Sequence, residues 1–549
     1  MWHSVLRLFG GVKYVFNDMG PFVPRTGDSI ERGIGNFERL ATRMNLLKSL
    51  RVIAGIGACL CLLATACTTV VKDHSASRSL SSGAGTPPAP AAKNVILFIG
   101  DGMGVSTVTA IRILDGQIKG MSGEENVLPF ERFPHVALSK TYETNQQVGT
   151  SAGTATAMLT GQKTKSGFLG VSGEAERGNC ASARGNNMRT ALELAESIGL
   201  STGIVTTTRL SHATPASAYA HVPERDWESD RSLTAEAREN GCTDVAAQLI
   251  DFPYGNGIEV ALGGGRIKFL PNDAVDPEGA NNFKGRQDKR NLAQEWTQKY
   301  PNSAYIWNQS QFDSIEPDST DHLLGLFNSS HMQYETDRSK DPAGEPSLAQ
   351  MTRLAIEILG RNSNGYFLLV EGGRIDHAHH AGNAFRALYD GIAFADAVRV
   401  ADEMTSVDDT LIMVTADHSH VFTIAGYPTR GNPILGKVIS NDSSGNPKST
   451  FDLMDDGKPY TTLGYQNGPG GAWVGGPRPD LSDIDTVNDE DYLQQAAMPL
   501  VILEETHGGE DVAVYARGPG AERIHGVIEQ NEIFNAIDAA AQLTVRAAD

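Results

Sequence analysis

Short apolar segments recur along residues 94–516, and polar residues that can bind a metal or a substrate stand beside each of them. Segments with helical periodicity lie between several of these, at residues 188–198, 348–359 and 386–403. This alternation predicts an α/β fold with a central, mostly parallel sheet flanked by helices. Functional residues of such a fold gather at the carboxyl ends of the strands. The predicted strands are residues 95–99, 203–207, 258–262, 366–370, 411–415 and 512–516.

The stretch 366–380, YFLLVEGGRIDHAHH, carries the densest set of candidate metal ligands. A predicted buried strand is followed by Glu371, two glycines, Asp376 and a histidine cluster that ends at His380. If the chain turns helical after the glycines, Asp376 and His380 share one face, because they are four residues apart. A carboxylate and an imidazole on one face suit zinc. A solvated acidic loop is the alternative interpretation.

Other strand ends add ligands of the same kinds. Asp101 follows one predicted strand, the pair Asp417 and His418 follows another, and His507 lies in the sequence ETHGGED. Four carboxylates and three imidazoles are therefore expected at one edge of the sheet. Two adjacent metal ions at such an edge are the usual solution for phosphoryl transfer.

A candidate nucleophile and a candidate phosphate ligand are also present. Residues 147–161, QVGTSAGTATAMLTG, predict a helix that begins at Ser151. The amino terminus of a helix stabilises an alkoxide and a phosphate, although a serine there can also be only an N-cap. The planar guanidinium of Arg225 can bind two phosphate oxygens, and a surface charge is the alternative.

Two regions interrupt the strand–helix rhythm within a predicted catalytic domain of residues 94–549. Residues 276–345 are polar and rich in loops. Residues 426–490 carry many glycine, proline, asparagine and aspartate residues, which predicts an inserted, crown-like surface subdomain, with disorder as the alternative. The net charge is −20, so non-specific nucleic-acid binding is not expected, because it requires a basic surface.

The first 93 residues are predicted to precede the folded body. Residues 1–43 show no motif and are interpreted as an upstream extension, with a genuine leader as the alternative. Residues 44–66 have the basic start, apolar middle and small-residue end of a signal peptide. The next residue, Cys67, is either the first residue after an ordinary cleavage or a lipidated cysteine. Residues 67–93 read as a flexible tether.

Taken together, these segments resemble the alkaline phosphatase family, and the animal-type branch in particular. The motifs are DGMG from residue 101, SAGTATA from 151, HATP from 212, VEGGRIDH from 370, TADHSH from 415 and THGGE from 506. They occur in the family's order, and the resemblance covers residues 94–540. It implies an alkaline-phosphatase-like α/β fold with an inserted, loop-rich cap.

The resemblance also implies roles for individual residues. Ser151 corresponds to the nucleophile, which forms a phosphoserine, and Arg225 to the residue that binds phosphate. Two Zn²⁺ ions are implied, the first on Asp376, His380 and His507, and the second on Asp101, Asp417 and His418. A third ion, usually Mg²⁺, is implied on Asp101, Thr214 and Glu371. His212 lies near that third site, where enteric enzymes carry aspartate, so its metal preference stays open.

Further features follow from the same resemblance. A structural Ca²⁺ is implied at Glu278, the Phe327 carbonyl, Asn328 and Glu345, with asparagine in place of one carboxylate. Cys180 and Cys242, which could otherwise be free thiols, correspond to paired cysteines. His377 and His420 are interpreted as residues that support the metal ligands or lie on the phosphate side of the site, with core packing as the alternative. His135, His322 and His331 are interpreted as surface histidines.

One departure from the family lies beside the nucleophile. Family members usually carry aspartate immediately before it, whereas this chain has Thr150. A threonine hydroxyl is a weaker anchor for Arg225 than a carboxylate. Thr150→Asp is therefore expected to tighten inhibition by inorganic phosphate.

The predicted protein is an exported, metal-dependent hydrolase of phosphate monoesters with an alkaline optimum. It is expected to be a homodimer, located in the periplasm or anchored by lipid at the outer membrane or cell surface. One alternative is a phosphodiesterase of the same superfamily, although Thr214 and Glu371 favour monoesters. A non-catalytic surface lipoprotein that binds phosphate or metal is the other.

Both interpretations of the leader predict that the mature chain begins at Cys67. Mass spectrometry of the amino-terminal peptide from protein secreted by its native host should find this residue first. A free amine would indicate ordinary cleavage, and an acylated cysteine would indicate a lipoprotein. A mature form that retains residues 1–43 would contradict the interpretation of that segment.

Overall fold

The computed structural model describes residues 92–279, 284–471, 477–482, 489–498 and 504–548, and strands alternate with helices along most of this length. The strands are β1 (Asn94–Gly100), β2 (His135–Lys140), β3 (Ser201–Arg209), β4 (Val260–Gly264), β5 (Ser303–Ile306), β6 (His322–Leu326), β7 (Tyr366–Gly372), β8 (Thr410–Thr415), β9 (Ser419–His420), β10 (Phe422–Ile424), β11 (Leu463–Asn467), β12 (Ala496–Met498), β13 (His507–Gly508), β14 (Val512–Arg517) and β15 (Gly526–Glu529). The α-helices are α1 (Val105–Ile118), α2 (Ser151–Thr160), α3 (Cys180–Ala183), α4 (Ala191–Ser197), α5 (Ala213–Ala216), α6 (Ala235–Glu239), α7 (Val245–Asp251), α8 (Arg266–Phe269), α9 (Leu292–Lys299), α10 (Gln309–Asp313), α11 (Leu348–Leu359), α12 (Arg374–His380), α13 (Ala384–Met404), α14 (Glu532–Ala541) and α15 (Leu543–Ala548).

Ten of the strands form one sheet in the order β15-β2-β14-β8-β1-β7-β3-β4-β6-β5. β14 runs antiparallel to both of its neighbours, β2 and β8, and the other neighbouring pairs are parallel. The prediction of a mostly parallel α/β sheet is therefore confirmed. Each of the six predicted strands is present, with ends that differ by a few residues.

The sheet is buried on both faces, and alternate residues of β1 show this directly. Leu97 and Ile99 belong to one large hydrophobic cluster, and Ile96 and Phe98 belong to the other. Phe98 meets Phe394 of α13 edge-on, with ring centroids 5.9 Å apart. A strand buried on both faces has no polar alternation, which explains why the sequence shows continuous apolar runs.

Helix ends follow local capping chemistry. Helix α11 spans the predicted residues, and Ser347 begins it with a capping box that includes Gln350. Helix α4 was predicted to start at residue 188 but starts at Ala191. Thr190 caps it by accepting the Glu193 amide at 3.1 Å, so the preceding residues stay outside the helix.

The central strands end at a common level, and this edge carries the candidate ligands. Ile99 of β1 pairs with Glu371 of β7 and with Thr415 of β8. Because β14 is antiparallel, its first residue lies at the edge where the parallel strands end. The short strand that contains His507 precedes β14 and is thereby brought to the same edge.

Residues 276–345 contain more regular structure than their polar composition predicted. Strands β5 and β6 lie here and extend the main sheet. His322 is buried in β6, stacks on Tyr300 at 4.0 Å and donates from Nδ1 to the Ile258 carbonyl at 3.0 Å. Its interpretation as a surface histidine was wrong, because the short strand around it carries no recognisable pattern.

The described parts of residues 426–490 contribute β11 to a small second sheet, in the order β10-β11-β12. The leader, Cys67 and the tether up to residue 91 lie outside the described residues. Cys180 and Cys242 form a disulfide, as expected, between residues 62 positions apart. Among the described helices, none combines the length and the apolar character that crossing a membrane demands.

Two buried carboxylates meet at the opposite edge of the sheet, where β3 and β4 begin. Thr202 donates its hydroxyl to Glu196 and its amide to Glu259, both at 2.6 Å. Burial and the neighbouring Glu259 raise the pKa of Glu196 to about 9. The pair therefore retains a proton in the native protein at neutral pH.

We expect Glu196→Gln to reduce the loss of thermal stability at alkaline pH. Native Glu196 keeps its proton up to a pKa of about 9, whereas the unfolded chain releases it near the ordinary value of 4.5. The stabilisation that depends on this proton is complete below the unfolded pKa. It is lost as the pH rises through the folded pKa, by up to about 1.4 kcal/mol per pH unit.

The measurement is the Tm of both proteins at about pH 7 and at about pH 10. Glutamine does not ionise, so the Tm of the variant should fall less than that of the wild type. Glu239→Gln, which changes an exposed glutamate, is the matched control and should follow the wild type. Parallel Tm curves for Glu196→Gln and the wild type would contradict the shared proton.

Candidate metal centre

Asp376, His380 and His507 converge as predicted for the first zinc. The Asp376 Oδ1 atom lies 3.4 Å from His380 Nε2 and 3.3 Å from His507 Nε2. Helix α12 places Asp376 and His380 on one face, and the short strand β13 supplies His507. His420 joins the group, and its Nε2 lies 2.8 Å from the same Asp376 oxygen.

The protonation of two of these imidazoles can be deduced from their outer contacts. His380 Nδ1 donates to the Glu505 carbonyl at 2.7 Å, and His507 Nδ1 donates to the Gly149 carbonyl at 2.8 Å. In the neutral rings, each Nε2 therefore carries a lone pair. The two Nε2 atoms face each other at 3.0 Å, where neither can donate to the other. A metal cation between them is the arrangement that satisfies both.

Asp101, Asp417 and His418 converge beside this first group, and His418 contacts the candidate nucleophile. His418 Nε2 lies 3.4 Å from Asp101 Oδ1, 3.3 Å from Asp417 Oδ2 and 3.4 Å from Ser151 Oγ. Asp101 Oδ1 and Asp417 Oδ2 are buried without hydrogen-bond partners among the described residues. Ser151, the first residue of α2, is only 2% exposed.

The third predicted group is built around Glu371, at the end of β7. Asp101, His212 and Glu371 have ligand atoms within 4.8 Å of one another. Thr214 Oγ1 lies 3.5 Å from Asp101 Oδ2. One oxygen of Glu371 accepts from Thr206 and Thr208, and the other, Oε1, is buried without a partner in the described chain.

The carboxylates of these groups destabilise one another when no cation is present. Burial and the neighbouring carboxylates of Asp417, Asp376 and Glu371 raise the pKa of Asp101 well above its usual range. Burial also raises the pKa of Glu371 to about 7. Buried carboxylates with unpartnered oxygens are costly unless they coordinate metals. The donor set of carboxylates, imidazoles and a hydroxyl fits the predicted divalent ions.

Arg225 lies at this centre without a carboxylate partner among the residues that the structure describes. Its Nη2 atom donates to His212 Nε2 at 3.0 Å, while its backbone amide donates to the Gly167 carbonyl. Thr150 does not anchor this guanidinium. Its hydroxyl donates instead to Glu143 at 2.9 Å, a contact that sequence reasoning did not anticipate.

Three histidines gather next to Arg225. His212, His331 and His377 have ring centroids between 4.2 and 5.3 Å apart. Burial, Arg225 and the two neighbouring rings hold the pKa of His212 well below its usual range. The interpretation of His331 as a surface residue was wrong, because the loop after β6 returns to the site. His135 is half-buried in β2 and contacts none of these groups.

Other functional contacts were also missed. Thr206 and Thr208 orient Glu371 from the end of β3, and their TTTR sequence was the available signal. Glu505, two residues before His507, contacts buried His420. Although burial opposes protonation, Glu505 and Asp376 raise the pKa of His420 to about 10. His420 therefore fits the interpretation of a residue that supports the centre.

The residues predicted for calcium contact other partners. Buried Arg266 binds Asp276 and the Oε2 atom of Glu278, which leaves Glu278 Oε1 buried without a described partner. Asn328 donates to Glu345 at 2.8 Å. One free carboxylate oxygen beside a guanidinium is a smaller donor set than Ca²⁺ usually takes.

Known proteins share both the sequence and the fold. Comparison with sequence models of protein families matches residues 92–543 to the family described as alkaline phosphatase. The alkaline phosphatase of Gadus morhua is 48% identical over 455 residues, which cover 82% of this chain and 92% of that protein. The tissue-nonspecific isozyme of Homo sapiens is 47% identical over 448 residues, which cover 80% of this chain and 82% of that protein.

Two solved structures agree with the observed architecture. The alkaline phosphatase of the Antarctic bacterium TAB5 superposes with a TM-score of 0.55 at 22% identity, covering 83% of this chain and 99% of that chain. The Thermus thermophilus alkaline phosphatase gives a TM-score of 0.57 at 24% identity, covering 85% of this chain and 95% of that chain. At these identities the similarity concerns the fold.

Replacing His507 should remove one metal ion. In His507→Ala, the His380 Nε2 atom loses the facing ligand, so bound zinc should fall by about one ion per chain and turnover should fall with it. Elemental analysis of the purified protein and initial rates measure the two effects. His525→Ala, which changes an exposed histidine, is the control. Unchanged zinc content with full activity would refute the site.

Proposed function

The chain belongs to the alkaline phosphatase family and is a phosphoric monoester hydrolase, and from this premise we propose the residues through which it acts. Ser151 is the proposed nucleophile, and Arg225 is the proposed phosphate ligand. The observation that carries the proposal is the position of Ser151 Oγ, 3.4 Å from His418 Nε2 at the start of a helix. The two facing Nε2 atoms of His380 and His507 lie in the adjoining group.

The proposed cofactors are two Zn²⁺ ions and one Mg²⁺ ion. Asp376, His380 and His507 would hold the first zinc, and Asp101, Asp417 and His418 the second. Asp101, Thr214 and Glu371 would hold the magnesium, with His212 beside it. When bound, these ions supply positive charge that stabilises oxyanions and lowers the pKa of coordinated oxygen groups. Their types and number rest on the family resemblance and on the donor set.

The chain's own residues orient the reaction. The positive end of the α2 helix dipole lies at Ser151 and favours the negative charge that develops on the phosphoryl group there. In-line attack by the Ser151 oxygen on phosphorus forms the Ser151–phosphate bond and breaks the bond to the alcohol, which leaves with a proton. Water then cleaves the phosphoserine and releases inorganic phosphate. Among the described residues no carboxylate holds the Arg225 guanidinium, which contacts His212 and has donors left for phosphate oxygens.

The comparisons do not favour the two alternative functions. A phosphodiesterase of the superfamily lacks the third set of ligands, whereas Thr214 and Glu371 both lie at this centre. A non-catalytic lipoprotein has no need of the nucleophile, which is present and buried. The local cations proposed for the centre also explain how an anionic substrate reaches a chain of net charge −20.

Further proposals concern the setting of the enzyme. The signal-peptide pattern and the disulfide support export to the periplasm or the cell surface, with Cys67 as the proposed lipid anchor. A homodimer and an alkaline optimum rest on the family resemblance. The structural Ca²⁺ at Glu278, Phe327, Asn328 and Glu345 is supported by one unpartnered oxygen and opposed by Arg266. No nucleic-acid partner is proposed.

Matched monoester and diester substrates with the same leaving alcohol test this function. Metal-loaded protein should hydrolyse the monoester at least about 100-fold faster than the diester. Ser151→Ala should lower monoester turnover by about 10³-fold or more, whereas Ser314→Ala, an exposed control, should not. Mass spectrometry of acid-quenched enzyme should find phosphate on Ser151. Faster diester turnover, or phosphate on another residue, would refute the proposal.

A further inference from the structure

We infer that Glu143 is a positioning residue for the nucleophile, to which it is connected through Thr150. The two residues form a matched carboxylate–hydroxyl pair in place of the single aspartate that the family usually carries before its nucleophile. This role depends on the proposed function of Ser151. Glu143 itself does not contact the reacting atoms.

The Glu143 carboxylate lies at the amino terminus of helix α2. Thr150 is the N-cap residue, yet its side chain makes no capping hydrogen bond. Its hydroxyl donates to Glu143 Oε1 at 2.9 Å instead. Glu143 Oε1 also lies beside the backbone of Gly153, two residues after Ser151. One side chain from outside the helix thereby contacts the chain on both sides of Ser151.

The backbone around Ser151 is shaped to admit this carboxylate. A Cβ atom at Gly153 would lie only 2.2 Å from Glu143 Oε1, so a larger residue would displace the carboxylate. A Cβ atom at Gly149 would lie 2.3 Å from the Thr141 carbonyl oxygen. The Gly149 carbonyl in turn accepts from His507 Nδ1 at 2.8 Å. The segment that Glu143 binds therefore orients both the nucleophile and a proposed zinc ligand.

The buried carboxylate of Glu143 lowers the stability of the fold, and a purely structural role does not explain why the chain carries it. It is 4% exposed, and its Oε2 atom has no hydrogen-bond partner among the described residues. Burial raises its pKa to about 7, against the opposing hydrogen bonds from Thr150 and Gly153. At the alkaline pH of the proposed reaction it carries a negative charge at the amino terminus of α2. A buried, incompletely satisfied charge of this kind is typical of functional sites.

The pair changes the expectation for Thr150→Asp. An aspartate at residue 150 would place a second carboxylate at the position of the Thr150 hydroxyl, within hydrogen-bond distance of Glu143. Two carboxylates at that distance cannot both be ionised without a large penalty. The family aspartate therefore fits this site only when Glu143 is neutral. Tighter phosphate inhibition by Thr150→Asp is expected in a Glu143→Gln background and not in the wild type.

A double-mutant cycle tests the pair in the full-length, metal-loaded enzyme. The four proteins are the wild type, Thr150→Asp, Glu143→Gln and the double variant. We expect Thr150→Asp to lower kcat/KM by about tenfold or more, because a small displacement of the nucleophile from its reactive position slows the reaction strongly. Glu143→Gln alone should lower kcat a few-fold while KM stays close to the wild-type value. The double variant should recover to within about threefold of the wild type, which is strongly non-additive.

Controls separate positioning from folding. Thr150→Ser keeps the hydroxyl and should behave as the wild type, whereas Thr150→Val should resemble Glu143→Gln. Bound metal and Tm are measured for every variant, and recovery of kcat/KM in the double variant cannot be explained by lost stability. Phosphate inhibition constants at one pH and ionic strength should show tighter inhibition in the double variant than in the wild type.

Two outcomes would overturn the inference. One is an additive cycle, in which the double variant is as impaired as the product of the single changes. The other is Thr150→Asp with wild-type kcat/KM. Phosphate trapped on Ser151 in the wild type, together with either outcome, would reject the role of Glu143 and leave the proposed function intact. Absence of phosphate on Ser151 would reject the proposed function itself.

Discussion

The electrostatics at one edge of the sheet impose the strongest constraint on this structure. Two imidazole lone pairs face each other at 3.0 Å, and four carboxylates lie buried around them. In a medium of low polarity such an arrangement is unfavourable by many kcal/mol unless cations are present. The fold, not the centre itself, must therefore hold these groups together. A large sheet buried on both faces provides the rigidity that this requires.

The sheet brings the ligands together through the direction of its strands. Strands β1, β7 and β8 are adjacent and in register, so the residues that follow them share one edge. Because β14 runs in the reverse direction and starts where its neighbours end, the preceding strand β13 brings His507 to the same edge. Backbone carbonyl groups accept hydrogen bonds from Nδ1 of His380 and His507 and thereby fix the tautomers of these two rings. Two threonines of β3 orient the Glu371 carboxylate. The geometry of the candidate metal centre therefore depends on these outer contacts as much as on the ligand residues themselves.

The residue before Ser151 is a threonine, and its contacts differ from those expected of an aspartate at this position. Thr150, immediately before the proposed nucleophile, is uncharged, and Glu143 supplies a carboxylate from the loop after β2. Arg225, which an aspartate at residue 150 was expected to anchor, contacts His212 instead. The proposed phosphate site therefore combines a guanidinium with three nearby imidazoles, and the Glu143 carboxylate contacts the Thr150 hydroxyl beside it.

The sequence by itself determined the α/β class, six of the ten strands of the central sheet and the candidate ligand residues near their ends. Strands buried on both faces must be apolar throughout, so they appear in the sequence as continuous apolar runs. The ligand residues were recognisable because they stand in motifs of several consecutive residues that resemble one family. Helix α11 was predicted to the residue because its cap is local. The disulfide partners were also available from the resemblance, since the body contains only two cysteines.

Only the tertiary structure decided which side chains support the ligands. Glu143 reaches Thr150, Glu505 reaches His420, and His331 reaches His377 through contacts that depend on loops and on strand register. The short strands β5 and β6 escaped prediction because four or five residues carry too little periodicity, and His322 was misplaced with them. Local patterns encode an element and its burial. A hydrogen bond between residues distant in sequence is defined only when the whole sheet has assembled.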